Sequence, residues 1–177
     1  MINKEKLIEL EYQQLRAEIL KRTELRHQML QTTLTFAGIL IGVGAQTGNP
    51  LLSSIYPPLA LCFAMLWAQN DIRARQLGNF IRTEIENDQG RWENFFRREL
   101  APAGNLFGRY PLSIFAPGGA FIISEVMAVA FCMFNLSGRS KTWWLLIILD
   151  FVAIVGTGFL LAKALSTRRA LMDQRNI

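Results

Sequence analysis

Polar and apolar residues are segregated along this chain rather than mixed. Residues 1–28 and 70–110 are dense in charge, and most of the remainder carries almost none. The apolar segments are each about 18–22 residues long, which at about 1.5 Å per helical residue matches the ~30 Å hydrocarbon core of a bilayer. They are too long and too continuous for barrel strands, and a bilayer admits only helices or closed barrels. The pattern therefore predicts an all-α integral membrane protein with four spans, at about 29–46, 51–69, 114–136 and 143–164.

The segments between the spans have their own signals. Residues 3–28 lack Gly and Pro, and Ile8, Tyr12, Leu15 and Ile19 form one apolar stripe at helical spacing. Nothing breaks this arm before the first span, so a single helix of over forty residues is expected. Thr47-Gly48-Asn49-Pro50 reads as a turn. Pro57 and Pro58 fit the first turn of the second helix, or a kink. That helix should continue through Asn70, Asp71, Arg73 and Arg75 to about Asn87, with Ile72, Leu77, Ile81 and Ile85 as its apolar edge. Gly90 ends it. Trp92, Phe95, Phe96 and Leu100 then share one side of a short amphipathic helix, suited either to the headgroup plane or to packing on the helical hairpin. Tyr56 and Trp67 are expected in the aromatic belts, and Trp143 and Trp144 at the outer interface.

The division that follows is a helical arm at 1–28, spans one and two at 29–69, and an extended helix with an interfacial helix at 70–113. Spans three and four occupy 114–164, and a tail 165–177. Charge orients it. The arm, the middle segment and the tail hold nearly all the Lys and Arg; the first outer turn has none and the second only Arg139 and Lys141. Both termini and the middle segment are therefore expected on the cytoplasmic side of a cell inner (plasma) membrane. The net charge of +5 and mean hydropathy of +0.21 fit this reading. The basic residues are interleaved with acids rather than clustered, so no nucleic-acid partner is expected.

Two acids lie inside spans, Glu125 in the third and Asp150 in the fourth. Charge in hydrocarbon is costly and marks either a functional site or an interhelical hydrogen bond. Counting inward from the outer turn separates the two by roughly 6 Å in depth. Glu125, Ala128, Cys132 and Asn135 share one helix face, as do Asp150, Ala153 and Thr157. Small residues form packing stripes at Thr35, Gly38, Gly42 and Ala45 and at Ala60, Ala64 and Ala68. Cys62 and Cys132 both lie in apolar runs, so no disulfide framework is expected. Arg22 and His27 match the loose Arg-x4–6-His spacing of HEPN-type ribonucleases, against the simpler reading of an interfacial histidine beside a basic patch. There is no phosphate loop, no Cys/His metal spacing, and one histidine in all. Neither enzyme nor cofactor nor metal is expected.

Glu11-Tyr12-Gln13-Gln14-Leu15-Arg16-Ala17-Glu18-Ile19-Leu20 and Trp67-Ala68-Gln69-Asn70-Asp71-Ile72-Arg73 resemble segments of small uncharacterised bacterial membrane proteins. The hairpin of the first ninety residues is also similar in layout to SLATT-type membrane effectors of bacterial conflict systems. That resemblance implies a pore former controlled by a partner, although spans three and four depart from a two-span plan. The leading expectation is an oligomeric pore in which Glu125, Asp150, Asn135 and Thr157 line or gate a cation path and the cytoplasmic helices receive a signal. The alternatives are a non-conducting anchor that recruits a cytoplasmic protein, and a small proton-coupled transporter, for which no inverted repeat is evident.

Overall fold

A computed structural model describes residues 4–85, 105–106, 110–134 and 141–173, with side-chain surroundings for 5–85, 116–134 and 143–167. The amphipathic segment with Trp92, Phe95 and Phe96, and Asn135, lie outside the described residues.

The arm and the first apolar run form one helix, α1 (Lys4–Thr47). At about 1.5 Å per residue its 44 residues extend about 66 Å. Gly48 then takes a positive φ of 64°, the left-handed conformation that ends a helix without a Cβ penalty. The chain reverses through Asn49, whose Oδ1 accepts from the Leu51 amide at 3.1 Å. A single turn, α2 (Leu51–Ser54), leads into α3 (Tyr56–Phe80), with Pro57 and Pro58 in its first turn where their missing N–H groups cost nothing. A π-helical turn, Ile81–Ile85, continues α3. The expected continuation to Asn87 is thus helical up to Ile85, the last described residue there. Asn105–Leu106 (β1) and Tyr110–Pro111 (β2) form a minimal antiparallel ladder, in a region that reads as loop from its Pro and Gly content. Then come α4 (Leu112–Phe134) and α5 (Lys141–Asp173). Four helices are long and apolar enough to cross a membrane.

The four pack as a bundle. Neighbours around it run α1, α3, α5, α4 and back to α1; α3 and α4 also touch across the middle, which leaves α1 and α5 on opposite sides. Small residues set the close approaches. Ala60 and Ala64 of α3 are fully buried, the first with Ala37, Tyr56 and Ala128, the second with Trp67, Ala68, Phe121 and Leu161. A Cβ on Gly44 would lie 2.8 Å from Ser53 Oγ and 3.3 Å from the Asn49 carbonyl oxygen; one on Gly156 would lie 3.2 Å from Leu61, and one on Gly118 3.1 Å from Leu161. Gly38 and Gly42 meet nothing within 4 Å. Within the chain, α1 uses the face of Thr33, Ala37 and Gly44, and the Gly38-x-x-x-Gly42 motif points away from it.

Tyr56 and Trp67, expected at the two interfaces, are instead both interior, Tyr56 fully and Trp67 nearly so. Trp144 is exposed and Trp143 half-buried. Outward faces are strongly apolar, with Phe36, Ile39 and Val43 on α1 and Val152, Val155 and Phe159 on α5.

Overpacking a tight helix contact costs about 1–3 kcal/mol. Gly44→Val should lose about that much, and Gly38→Val should leave the stability of the single chain within about 0.5 kcal/mol, as read by denaturant titration in detergent micelles.

Candidate functional site

The helix faces dictate which polar groups enter the bundle. On α4 Glu125, Ala128 and Cys132 share a face; on α5 Asp150, Ala153 and Thr157 do. All six are buried, and Glu125, Asp150 and Thr157 have no exposed surface at all. The two faces meet antiparallel. Thr157 Oγ1 donates a hydrogen bond to Glu125 Oε1 at 2.7 Å. The register that sets Thr157 opposite Glu125 sets Asp150 opposite Cys132.

That register corrects the depth expected from counting residues. Asp150 is seven residues from Thr157, so the two acids are about 10.5 Å apart along the bundle, two helical turns rather than one. Counting from the ends of the apolar runs fails because it assumes that α4 and α5 start level; Thr157 opposite Glu125 fixes the real offset. The acids occupy separate levels and do not share one pocket.

Their oxygens are incompletely satisfied. Glu125 Oε2 and both carboxyl oxygens of Asp150 are buried with no hydrogen-bond partner among the described residues. An acid retained only to tie helices together would spend its oxygens on hydrogen bonds across the interface. Glu125 does so with one oxygen and Asp150 with neither.

Further polar groups join them. The Tyr56 hydroxyl lies 2.6 Å from Ser124 Oγ. The Ser124 hydroxyl donates back to the Ala120 carbonyl at 2.7 Å, so its one proton is used and Tyr56 is the donor of the pair. Ser124 immediately precedes Glu125, so the Tyr56 hydroxyl lies at the Glu125 level. From α1, Thr33 is buried and donates to the Met29 carbonyl at 2.7 Å.

About one turn from Glu125, toward the N-terminal end of α4, an apolar layer closes the interior, built from Ala64, Trp67, Ala68, Phe121 and Leu161, with Met29 and Leu30 against it. One turn beyond Trp67 lies Asp71, fully buried. It accepts from Arg26 of α1 and from Arg75 Nε of α3, the latter at 3.2 Å. Beside it Arg22 donates to Asn70 Oδ1 at 3.4 Å and to Glu18 Oε1 at 3.0 Å. Arg22 is engaged in this clasp while His27 is exposed on another side, so the two do not converge on one site.

Asp71 is the residue that sequence reasoning missed, since its charged surroundings look solvated. The signal was present: Ala60, Ala64, Ala68 and Asp71 are spaced four, four and three, so Asp71 extends the buried stripe of α3.

Among the described residues no group of three or more His, Cys, Asp or Glu is placed to hold a metal. Comparison with protein-family models, with curated proteins and with solved structures found no match for this chain.

Thr157→Val, which keeps shape and removes the donor, should cost about 1 kcal/mol. Asp71→Ala strands Arg26 at a semi-buried position and should cost on the order of 3 kcal/mol. Steric trapping in bicelles, which reads unfolding inside a lipid phase, checks both.

Proposed function

We propose that this chain is a multi-pass plasma-membrane protein, with both termini and the 70–113 segment cytoplasmic, that passes small cations through the interior of its own helix bundle. The observation that carries this reading is the pair of fully buried carboxyls, Glu125 and Asp150, with three of their four oxygens unpartnered. Such groups are expensive in an apolar bundle unless they bind something that moves. The positive-inside bias of the loops supports the orientation.

The layer of Trp67, Phe121 and Leu161 is the closed gate in this proposal. A hydrophobic constriction of this kind stops ions without any charge. The Arg26–Asp71–Arg75 clasp joins α1 to α3 one turn below the gate. It is the natural point for a signal received by the long cytoplasmic helices to reach it, in keeping with the effector layout that the first ninety residues resemble.

A conduit on an axis shared by several copies would be lined by outward faces, and these carry Phe36, Ile39, Val43, Val152, Val155 and Phe159. Glu125 and Asp150 turn inward in each chain instead. A path inside the protomer therefore fits better than one between protomers, whether or not copies assemble.

One feature favours a second reading, a non-conducting anchor. Leu7, Ile8 and Leu10 near the start of α1 are all more than 40% exposed, a surface suited to a cytoplasmic protein partner.

Flux into liposomes loaded with ion-sensitive dyes separates the two. Phe121→Ala and Leu161→Ala should raise cation leak about tenfold, equivalent to about 1.4 kcal/mol of barrier, and adding Glu125→Gln with Asp150→Asn should abolish the gain. Leak that is equal in all variants, with a soluble partner captured stoichiometrically through α1, would replace conduction by the anchor.

A further inference from the structure

Accepting the conduction reading, on which this step rests, the composition of the two acidic levels names what is carried. We infer that Glu125 and Asp150 are two separate proton-binding stations and that neither is a metal-cation site.

A dehydrated cation needs a shell of oxygens. Calcium takes six to eight and magnesium about six, and potassium filters supply rings of carbonyls. Neither level offers such a shell. At Glu125 the identified oxygen neighbour is the Thr157 hydroxyl, which already points its proton at Oε1 and so presents a donor rather than a free acceptor. At Asp150 neither carboxyl oxygen has a hydrogen-bond partner among the described residues.

The backbone carbonyls of the two helices that carry the acids do not make up the deficit. Transporters that bind cations at mid-membrane free their carbonyls by breaking a helix. Here α4 and α5 run unbroken past Glu125 and Asp150, so the carbonyls at those levels are spent within the helices. Pro117 does interrupt the α4 hydrogen-bond ladder, but it lies eight residues from Glu125, about 12 Å along the axis and on the far side of the Phe121 layer.

The two-turn separation of the acids matters as well. Two carboxylates sharing one pocket would provide four oxygens for a divalent ion; about 10.5 Å apart they cannot. Each carboxyl can, however, take and release one proton, which needs a single oxygen lone pair and no shell. The groups facing them are few. From α3 comes the Tyr56 hydroxyl, from α2 the buried Ser53 hydroxyl and from α4 Ser124 and Cys132; α1 brings Thr33 and Ala37, and Ser53, Thr33 and Ala37 are not titratable. No Lys or Arg is buried at these two levels among the described residues, and the Arg26 and Arg75 guanidinium groups of the clasp lie beyond the apolar layer.

A hydrophobic carbodiimide tests this directly. The reagent adds to a protonated carboxyl: the acid proton passes to a carbodiimide nitrogen, the carboxylate oxygen attacks the central carbon, and the adduct retains every atom of both reactants. Full-length protein in nanodiscs is treated with dicyclohexylcarbodiimide across a pH series, with and without sodium, potassium or calcium, and the adducts are mapped by peptide mass spectrometry. The expected result is separate adducts at Glu125 and Asp150, each falling as pH rises and neither reduced by any of the three ions. Asp150→Asn should remove its own adduct and leave that of Glu125 within about twofold, as independent sites do. Protection by one of the ions would overturn the proton assignment and leave cation conduction standing. Absence of both adducts at every pH would overturn it too. Adducts as expected, together with liposomes of the Phe121→Ala protein that hold a pH gradient intact, would keep the proton stations and remove conduction.

Discussion

Two carboxyls on otherwise greasy helices have to be kept away from an apolar outer surface, and the packing of the bundle follows from that requirement. Glu125 and Asp150 fix which faces of α4 and α5 turn inward. Once those faces are set, Ala128 and Ala153 lie between the acids and allow the helices to approach. The outward faces are then left with Met127, Met133, Val152, Val155 and Phe159, which suit lipid and little else. The same logic holds for α3: Tyr56 is inside because its hydroxyl has a partner in Ser124. Its ring takes space that an aromatic belt would have left to the headgroups.

The interior is consequently layered. Asp150 and Cys132 lie at the level nearest the turn that joins α1 to α2, toward the C-terminal end of α4 and the N-terminal end of α5; then follow Glu125 with Thr157, the Trp67–Phe121–Leu161 layer, and the Asp71 clasp. Polar and apolar levels alternate over about four helical turns, roughly 22 Å. Such alternation is a poor way to build a stable bundle, since buried acids with idle oxygens subtract from stability and an apolar core of the same volume would not. The proposed conduction reading gives that cost a use, with the middle layer as its barrier.

What the sequence made legible was what periodicity controls. The four long apolar helices followed from run length, and the inward stripes at 125, 128 and 132 and at 150, 153 and 157 from helical spacing. What it obscured was set by relations between helices. The offset of α4 against α5 shows in contacts between the two helices, Gly118 against Leu161 and Glu125 against Thr157, and no single-helix count contains it. The Gly38-x-x-x-Gly42 motif was more conspicuous than Gly44, yet Gly44 makes the tight contact because it falls seven residues after Ala37 on the face that meets α3 and α4. Asp71 was hidden by its neighbours. In a run rich in Arg, Asn and Gln a buried acid looks like one more solvated charge, unless the stripe of Ala60, Ala64 and Ala68 is followed past the end of the apolar segment.

The clasp and the acids also differ in kind, and the difference bears on which of them moves. Asp71 is compensated twice, by Arg26 from another helix and Arg75 from its own, so its charge is stable where it is. Both arginines remain partly exposed, which keeps the desolvation cost modest. Glu125 and Asp150 have no cationic partner of this sort and no exposure. A charged group held by two guanidinium groups acts as a joint between α1 and α3. A buried carboxyl with free oxygens is instead set up to exchange a ligand. Trp67, one turn from the joint on the same face of α3, shares a layer with Phe121 and Leu161, and Met29 and Leu30 of α1 pack against that layer. Trp67 is thus the side chain that links the Asp71 clasp, along one face of α3, to the apolar layer beside Glu125.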